Sequence, residues 1–288
     1  MESVSGCADA INAAAKAGTS PWPDRLPSKG DDAKAEADPN LSDAHTRMPS
    51  LKGRKAVITG GTTGIGRAIG VLLASQGVEI FTCGRDERHL ADGLERINEV
   101  GKGSGISVDL AEKDGLERFF DEAETKLGSY DIAIVNAAVP VEGLTNTDEE
   151  DAWYAVAVDY TAYVMSAYKA AQHMNDKGDL ILVGSMSAHS LGGGSSIYAG
   201  MKKGIQGFAE ALHKELGKKG IKVGLVEPGL TGADFQYPDI PADKQREMIN
   251  AEKMLRAEDI AVAVQFMLTQ PRRAVVNQLS VTQRVPDE

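Results

Sequence analysis

From Lys55 onward, short apolar runs alternate with longer helical stretches, and that alternation limits the architectures open to the chain. Strands are predicted at Ala56–Thr59, Val78–Cys83, Gly105–Val108, Ile132–Val135, Leu180–Val183, Lys222–Val226 and Ala274–Val281. Between them lie predicted helices at Gly64–Ser75, Glu87–Val100, Lys113–Leu127, Asp148–Met174, Ser196–Leu216 and Ala257–Leu268, with residues 230–253 irregular to helical. Strands that are apolar throughout, each followed by a helix, belong to a parallel sheet covered on both faces. The expectation is one doubly wound α/β domain with a mostly parallel sheet, and 288 residues suit one such domain.

Residues 1–52 differ from the rest. They are rich in Ala, Asp, Ser, Lys and Pro, with Pro21, Pro23, Pro27, Pro39 and Pro49 interrupting any periodicity. From Gly18 to Ser50 the aliphatic content is too low to bury enough surface to offset the ordering entropy. The segment is read as a flexible tail, with a partner-binding or oligomer-clasping arm as the alternative. The two cysteines, Cys7 and Cys83, form neither a disulfide framework nor a metal cluster, which favours a reducing cytoplasmic setting. No apolar run is long enough to span a bilayer, and the N-terminus lacks the basic start and apolar core of a secretory signal. A net charge of −11 argues against a nucleic-acid partner. The histidines are scattered, so no metal site is expected.

Two local patterns carry chemistry. After the first strand the chain reads Thr59-Gly60-Gly61-Thr62-Thr63-Gly64-Ile65-Gly66, and Gly60, Gly64 and Gly66 stand in a G-x-x-x-G-x-G spacing. Glycines there permit a tight turn and close backbone approach, while the N-terminus of the helix that follows favours a pyrophosphate. Far downstream, Tyr198 and Lys202 are four residues apart and so share one helix face, with Ser185 thirteen positions before the tyrosine. An ammonium beside a phenol stabilises the phenolate, which lets the phenol exchange a proton with a substrate oxygen that a serine hydroxyl holds in place.

With these motifs in this order, the chain resembles the short-chain dehydrogenase/reductase family, in its single-domain soluble branch, from about Leu51 to Gln283. The resemblance implies a Rossmann-type domain over residues 53–288, whose seven-stranded sheet binds a nicotinamide dinucleotide. It assigns the loop residues Gly60, Thr62, Thr63, Gly64, Ile65 and Gly66 to that cofactor. It further assigns Asp109 and Leu110 to the adenine ring, Asn136 and Ala137 of the Asn136-Ala137-Ala138 element (alanine in place of the family's glycine) to the cofactor together with Tyr198 and Lys202, and Pro228, Gly229 and Thr231 to the nicotinamide side. Tyr198 is then the general acid/base, Lys202 favours its ionised form and bonds the nicotinamide ribose, and Ser185 orients a carbonyl.

Two positions depart from the family or decide between its branches. The family's fourth catalytic residue is an asparagine, and here Asp159 matches its place. Its main-chain role would survive the change, whereas a buried carboxylate near Lys202 would pair with the ammonium. At the end of the second strand an acid marks NAD, but Gly84 takes that place and Arg85 follows, suiting the 2′-phosphate of NADP(H). Asp86 is read as a helix cap.

The substrate pocket is expected between Val139 and Pro140, the stretch after Ser185, and a segment past Pro228 that holds Phe235, Tyr237, Lys244, Arg246 and Met248. His189 is read as surface, with substrate contact as the alternative. Lys244 and Arg246 are read as a solvated helix face, with an anionic substrate as the alternative. The resulting expectation is an NADP(H)-dependent oxidoreductase acting on a small carbonyl or secondary alcohol. A non-catalytic NADP-binding sensor on the same fold is the rival. In the family the helices matching 148–174 and 196–216 pack against a partner's copies, which implies a homotetramer or homodimer.

Overall fold

The computed structural model describes residues 48–232 and 240–285, and those from Pro49 onward belong to one compact unit. Residues 1–47, most of the stretch read as a tail, lie outside the described residues, as do Phe235 and Tyr237. The strands of the main sheet are β1 (Lys55–Ile58), β2 (Glu79–Gly84), β3 (Lys102–Ser107), β4 (Tyr130–Val135), β5 (Met174–Val183), β6 (Lys222–Pro228) and β9 (Gln278–Val281). All seven are parallel, in the order β3-β2-β1-β4-β5-β6-β9. A two-stranded ladder pairs β7 (Thr231–Gly232) with β8 (Leu255–Arg256).

The helices are α1 (Gly64–Ser75), α2 (Glu87–Val100), α3 (Lys113–Leu127), α4 (Glu149–Val156), α5 (Tyr163–His173), α6 (Ser196–Gly217), α7 (Ala242–Asn250) and α8 (Ala257–Leu268). Side chains on successive strand positions leave opposite faces of the sheet. Val57, Leu180 and Leu182 therefore enter one apolar cluster, closed by Phe119 of α3, Tyr163 of α5 and Ile205 of α6. Ile58, Ile181 and Val183 enter the other, closed by Ile69 of α1, Ile97 of α2 and Val264 of α8. Leu51, just ahead of β1, is buried in this second cluster.

The sequence places most elements within a residue or two, and two of the exceptions share a cause. β3 starts at Lys102 rather than Gly105, and β5 at Met174 rather than Leu180. Apart from Met174 their extra residues are polar or glycine, so apolar patterning does not reveal them. β3 is an edge strand, and the first half of β5 leads to Asp179, buried between Arg54 at 2.6 Å, Arg272 at 3.0 Å and Lys222 at 3.3 Å. The cations offset the cost of burying that carboxylate, and burial pushes the Lys222 ammonium below its ordinary range against the pull of Asp179. The last strand begins at Gln278, so Ala274–Asn277 are not strand as expected. The expected helix over 148–174 is one α-helical run interrupted by a π-helical turn at Ala157–Ala162, and it ends at His173. Asp86 caps α2, its carboxylate accepting from the N–H groups of Arg88 and His89.

β2 and β3 lie on one side of β1, and β4 on the other. The chain thus reverses its winding between β1 and β4, and helices leave to opposite faces there. Such a switch point opens a crevice at the carboxyl ends of the strands.

Candidate active site

A cavity of about 800 Å³ lies at this switch point. Its floor is the glycine loop. Gly60 has φ +66°, and a Cβ on it would lie 2.8 Å from Ala137 Cα. A Cβ on Gly66 would lie 2.2 Å from the Gly60 carbonyl oxygen and 2.5 Å from Asn136 Nδ2. Asn136 Nδ2 donates to the carbonyls of Thr59 and Gly60 at 3.1 and 3.0 Å. The Thr59 hydroxyl accepts from the backbone N–H of Asn136 at 2.9 Å and of Ala137 at 3.2 Å. Asn136 and Ala137 therefore brace the loop from β4. The first turns of α2, α3 and α4 each carry acidic side chains, but that of α1 carries none, so its N–H groups and positive dipole end stay available to an anion.

One end of the cavity is lined by Arg85, Asp86, His89, Asp109, Leu110 and Tyr154, which sit past β2, past β3 and on α4. The other end is lined by Val139, Pro140, Ser185, Met186, Tyr198, Lys202 and Leu230, with Pro228 and Gly229 beside them. Lys202 is only 2% exposed, and its Nζ lies 5.5 Å from the Tyr198 ring centre and 5.4 Å from that of Tyr163. Tyr163 donates its hydroxyl to the Val183 carbonyl at 2.8 Å, and burial pushes its ionisation well above the ordinary range. Ser185 begins a 3₁₀ turn, Met186–Ala188, and its Oγ accepts from the Ser187 N–H at 3.1 Å.

Asp159 occupies the π turn and is wholly buried. Its Oδ1 accepts from the Val139 N–H at 2.7 Å, while Oδ2 has no hydrogen-bond partner among the described residues. The direct pairing expected with Lys202 is thus not made. Burial pushes the Asp159 carboxyl up to about 6, with the charge of Lys202 and the Val139 N–H pulling the other way. A π turn inserts one residue into the helix and commonly marks a functional segment.

Most residues assigned from sequence to catalysis or the cofactor meet in this one cavity, and three of them do not line it. Gly66 packs beneath the loop, Asp159 sits behind it, and Thr231 turns its hydroxyl to the Gly229 carbonyl at 3.0 Å. Val139 and Pro140 wall the cavity as expected. His189 lies outside the cavity lining and pairs with the buried Glu227. Lys244 is exposed on α7 beside Glu247 at 3.0 Å, and Arg246 is exposed as well. Tyr154 and Leu230 went unnoticed in the sequence because no motif marks either; only the packing of α4 and the turn after Gly229 bring them in.

The short chain dehydrogenase family matches residues 54–243. An uncharacterized oxidoreductase of Staphylococcus aureus is 30% identical over 240 residues, covering 81% of this chain and 99% of that protein. Among solved structures, a short chain dehydrogenase from Burkholderia cenocepacia in complex with NADP has a TM-score of 0.73 at 26% identity, covering 81% of this chain and 98% of that one. A short-chain dehydrogenase/reductase from Serratia marcescens has a TM-score of 0.72 at 26% identity, covering 82% and 98%. Family match, sheet order and glycine loop converge on the same crevice, and the chain belongs to the short-chain dehydrogenase/reductase family of oxidoreductases, which bind nicotinamide cofactors.

Proposed function

We propose that this chain transfers a hydride between NADP(H) and a small carbonyl or secondary alcohol. The observation that carries the reading is the buried Lys202 ammonium held over the Tyr198 ring in a cavity that Ser185 also lines. The cavity suits a dinucleotide: the glycine loop leaves no side chain between backbone and ligand, and the acid-free start of α1 favours a pyrophosphate. Bound there, the nicotinamide supplies or accepts the hydride.

The chain's own residues handle the proton. Tyr198 Oη gives a proton to the carbonyl oxygen during reduction and takes it back during oxidation. Lys202 favours the phenolate left behind, and the rings of Tyr198 and Tyr163 beside its Nζ keep the charge in place. The Ser185 hydroxyl donates to the same oxygen. Val139, Pro140, Met186 and Leu230 give that end an apolar wall, which fits a small uncharged substrate. Asp159, behind Lys202, joins this machinery through its charge.

NADP(H) is favoured over NAD(H) by Arg85 and Gly84. A Cβ on Gly84 would lie 2.5 Å from Thr62 Cγ2, so the acid that binds a ribose 2′-hydroxyl has no room there. The complex of the Burkholderia cenocepacia neighbour with NADP supports the same choice. Self-association is proposed through α4–α5 and α6. Trp153, Met165 and Tyr168 are exposed apolar side chains on the first of these, and elution at the monomer mass would reject it.

The test follows absorbance at 340 nm with both reduced cofactors against a panel of carbonyl compounds. Turnover lost by about a hundredfold or more in Tyr198→Phe, with NADPH binding kept, is the expected result. NADPH binding without turnover of any substrate by the unaltered protein would point instead to a sensor.

A further inference from the structure

Tyr154, on α4, bridges two cofactor residues that lie far from it in the chain. Its hydroxyl accepts a hydrogen bond from Arg85 Nη1 at 2.7 Å and donates to Asp109, whose Oδ2 and Oδ1 lie at 2.9 and 3.1 Å. The Arg85 guanidinium carbon is 5.3 Å from the Tyr154 ring centre. A phenol has one proton to give, and here it goes to the carboxylate while a lone pair takes the guanidinium N–H. Burial first, then the bond to Asp109, pushes the ionisation of Tyr154 upward, so the hydroxyl keeps the proton this relay needs.

We propose that Tyr154 is a positioning residue for cofactor choice: its hydroxyl aims the Arg85 guanidinium at the place of a ribose 2′-phosphate and holds the Asp109 carboxylate engaged away from it. The proposal deepens the NADP(H) reading and rests on it. A long arginine on the surface would otherwise sample many rotamers, and ordering it on binding costs affinity; a partner that orders it beforehand removes much of that cost. Other acids stay out of the way. Asp86 spends its carboxylate on the cap of α2, and the close approach of Thr62 to Gly84 excludes an acid at that position. His89, which lines the same end, adds no negative charge.

Calorimetry with adenosine 2′,5′-bisphosphate and with adenosine 5′-monophosphate tests this without turnover. Tyr154→Phe keeps the ring and removes the hydroxyl. It should weaken the bisphosphate about fivefold, the worth of one hydrogen bond of about 1 kcal/mol, and leave the monophosphate within about twofold. Arg85→Ala should abolish the preference for the bisphosphate, and adding Tyr154→Phe to it should cost little more, because both changes remove one unit. Equal weakening of both probes, or none, overturns the proposal, since Tyr154 would then serve only the adenine or nothing. If Arg85→Ala removes the preference and Tyr154→Phe does not, the proposal falls while the NADP(H) reading stands. If the unaltered protein shows no preference for the bisphosphate, both fall. Unchanged monophosphate binding also checks that each variant is folded.

Discussion

Glu227 and His189 form a carboxylate–imidazole pair, with both Glu227 oxygens 3.0 Å from His189 Nε2 and Glu227 wholly buried. Glu227 lies one residue before the end of β6 at Pro228, and His189 follows Ser185 by four residues, so the pair ties together two segments that wall the cavity. Gln278 Nε2 donates to Glu227 at 2.6 Å and the Ser280 hydroxyl at 3.5 Å, which brings in β9 as a third element. His189 is thus an exposed residue, as expected from the sequence, but one held by a buried partner and outside the cavity lining.

Truncating Glu227 should be costly. Glu227→Ala leaves the side chains of His189 and Gln278 without their acceptor and should lower unfolding stability by about 3 kcal/mol. Because the loop carrying Ser185 loses its tether, the Michaelis constant for the carbonyl substrate should rise as well. Urea unfolding and steady-state kinetics check the two effects, and a variant as stable as the parent would refute the tether.

Asp159 makes stability depend on pH in a direction opposite to most carboxylates. Burial raises its carboxyl to about 6 from the ordinary value of 3.8, so the folded chain holds the proton more tightly than the unfolded one. As pH rises from about 4 to 6 the unfolded chain releases that proton first, and the folded state loses stability through this window. Asp159→Asn carries no proton to lose. Relative to the parent it should gain progressively over that range, by up to about 3 kcal/mol above pH 6. Unfolding curves at pH 4.5 and 7.5 measure the difference, and a gap that does not change with pH would contradict the burial argument.

Placing an acid at position 84 should not by itself convert the cofactor choice. A Cβ there lies 2.5 and 2.6 Å from Thr62 Cγ2 and Oγ1. Gly84→Asp should therefore lower stability by about 1–3 kcal/mol through overpacking. Thr62→Ala removes both of those atoms, and the double variant should recover part of the loss and bind NADH better than Gly84→Asp alone. Thermal melting and cofactor titration decide it; a single variant as stable as the parent would show that Thr62 yields freely.

Cys83 is fully buried on β2, and burial pushes its thiol up to about 12. With so little thiolate present, Cys83 should be inert. In a Cys7→Ser background, Ellman's reagent at pH 8 should find no fast thiol in the native protein and one per chain after unfolding. Rapid native titration would contradict the buried setting.

The glycine loop, the Asn136 element and the Ser185, Tyr198 and Lys202 trio were readable because each depends on local chemistry at fixed spacing. The apolar stretches of β1, β4 and β6 were readable for a related reason, since strands buried on both faces leave an unbroken hydrophobic run. The edge strand β3 and the polar start of β5 were not, because neither needs apolar side chains along its full length. The π turn at Ala157–Ala162 also leaves no local mark, since one residue more in a turn changes the hydrogen-bond spacing and not the residue types.

The amino-acid order alone marked the layer architecture, the glycine loop after β1, and the Ser185, Tyr198 and Lys202 that line one cavity. Folding settled who meets whom: Tyr154 with Arg85 and Asp109, Glu227 with His189, and Asp159 with Val139 while its second oxygen has no hydrogen-bond partner among the described residues. Those relationships join positions about 20 to 70 residues apart, so no periodicity records them. They arise only when the parallel strands bring their carboxyl ends to one crevice, where burial and hydrogen bonding act on side chains that the chain itself keeps far apart.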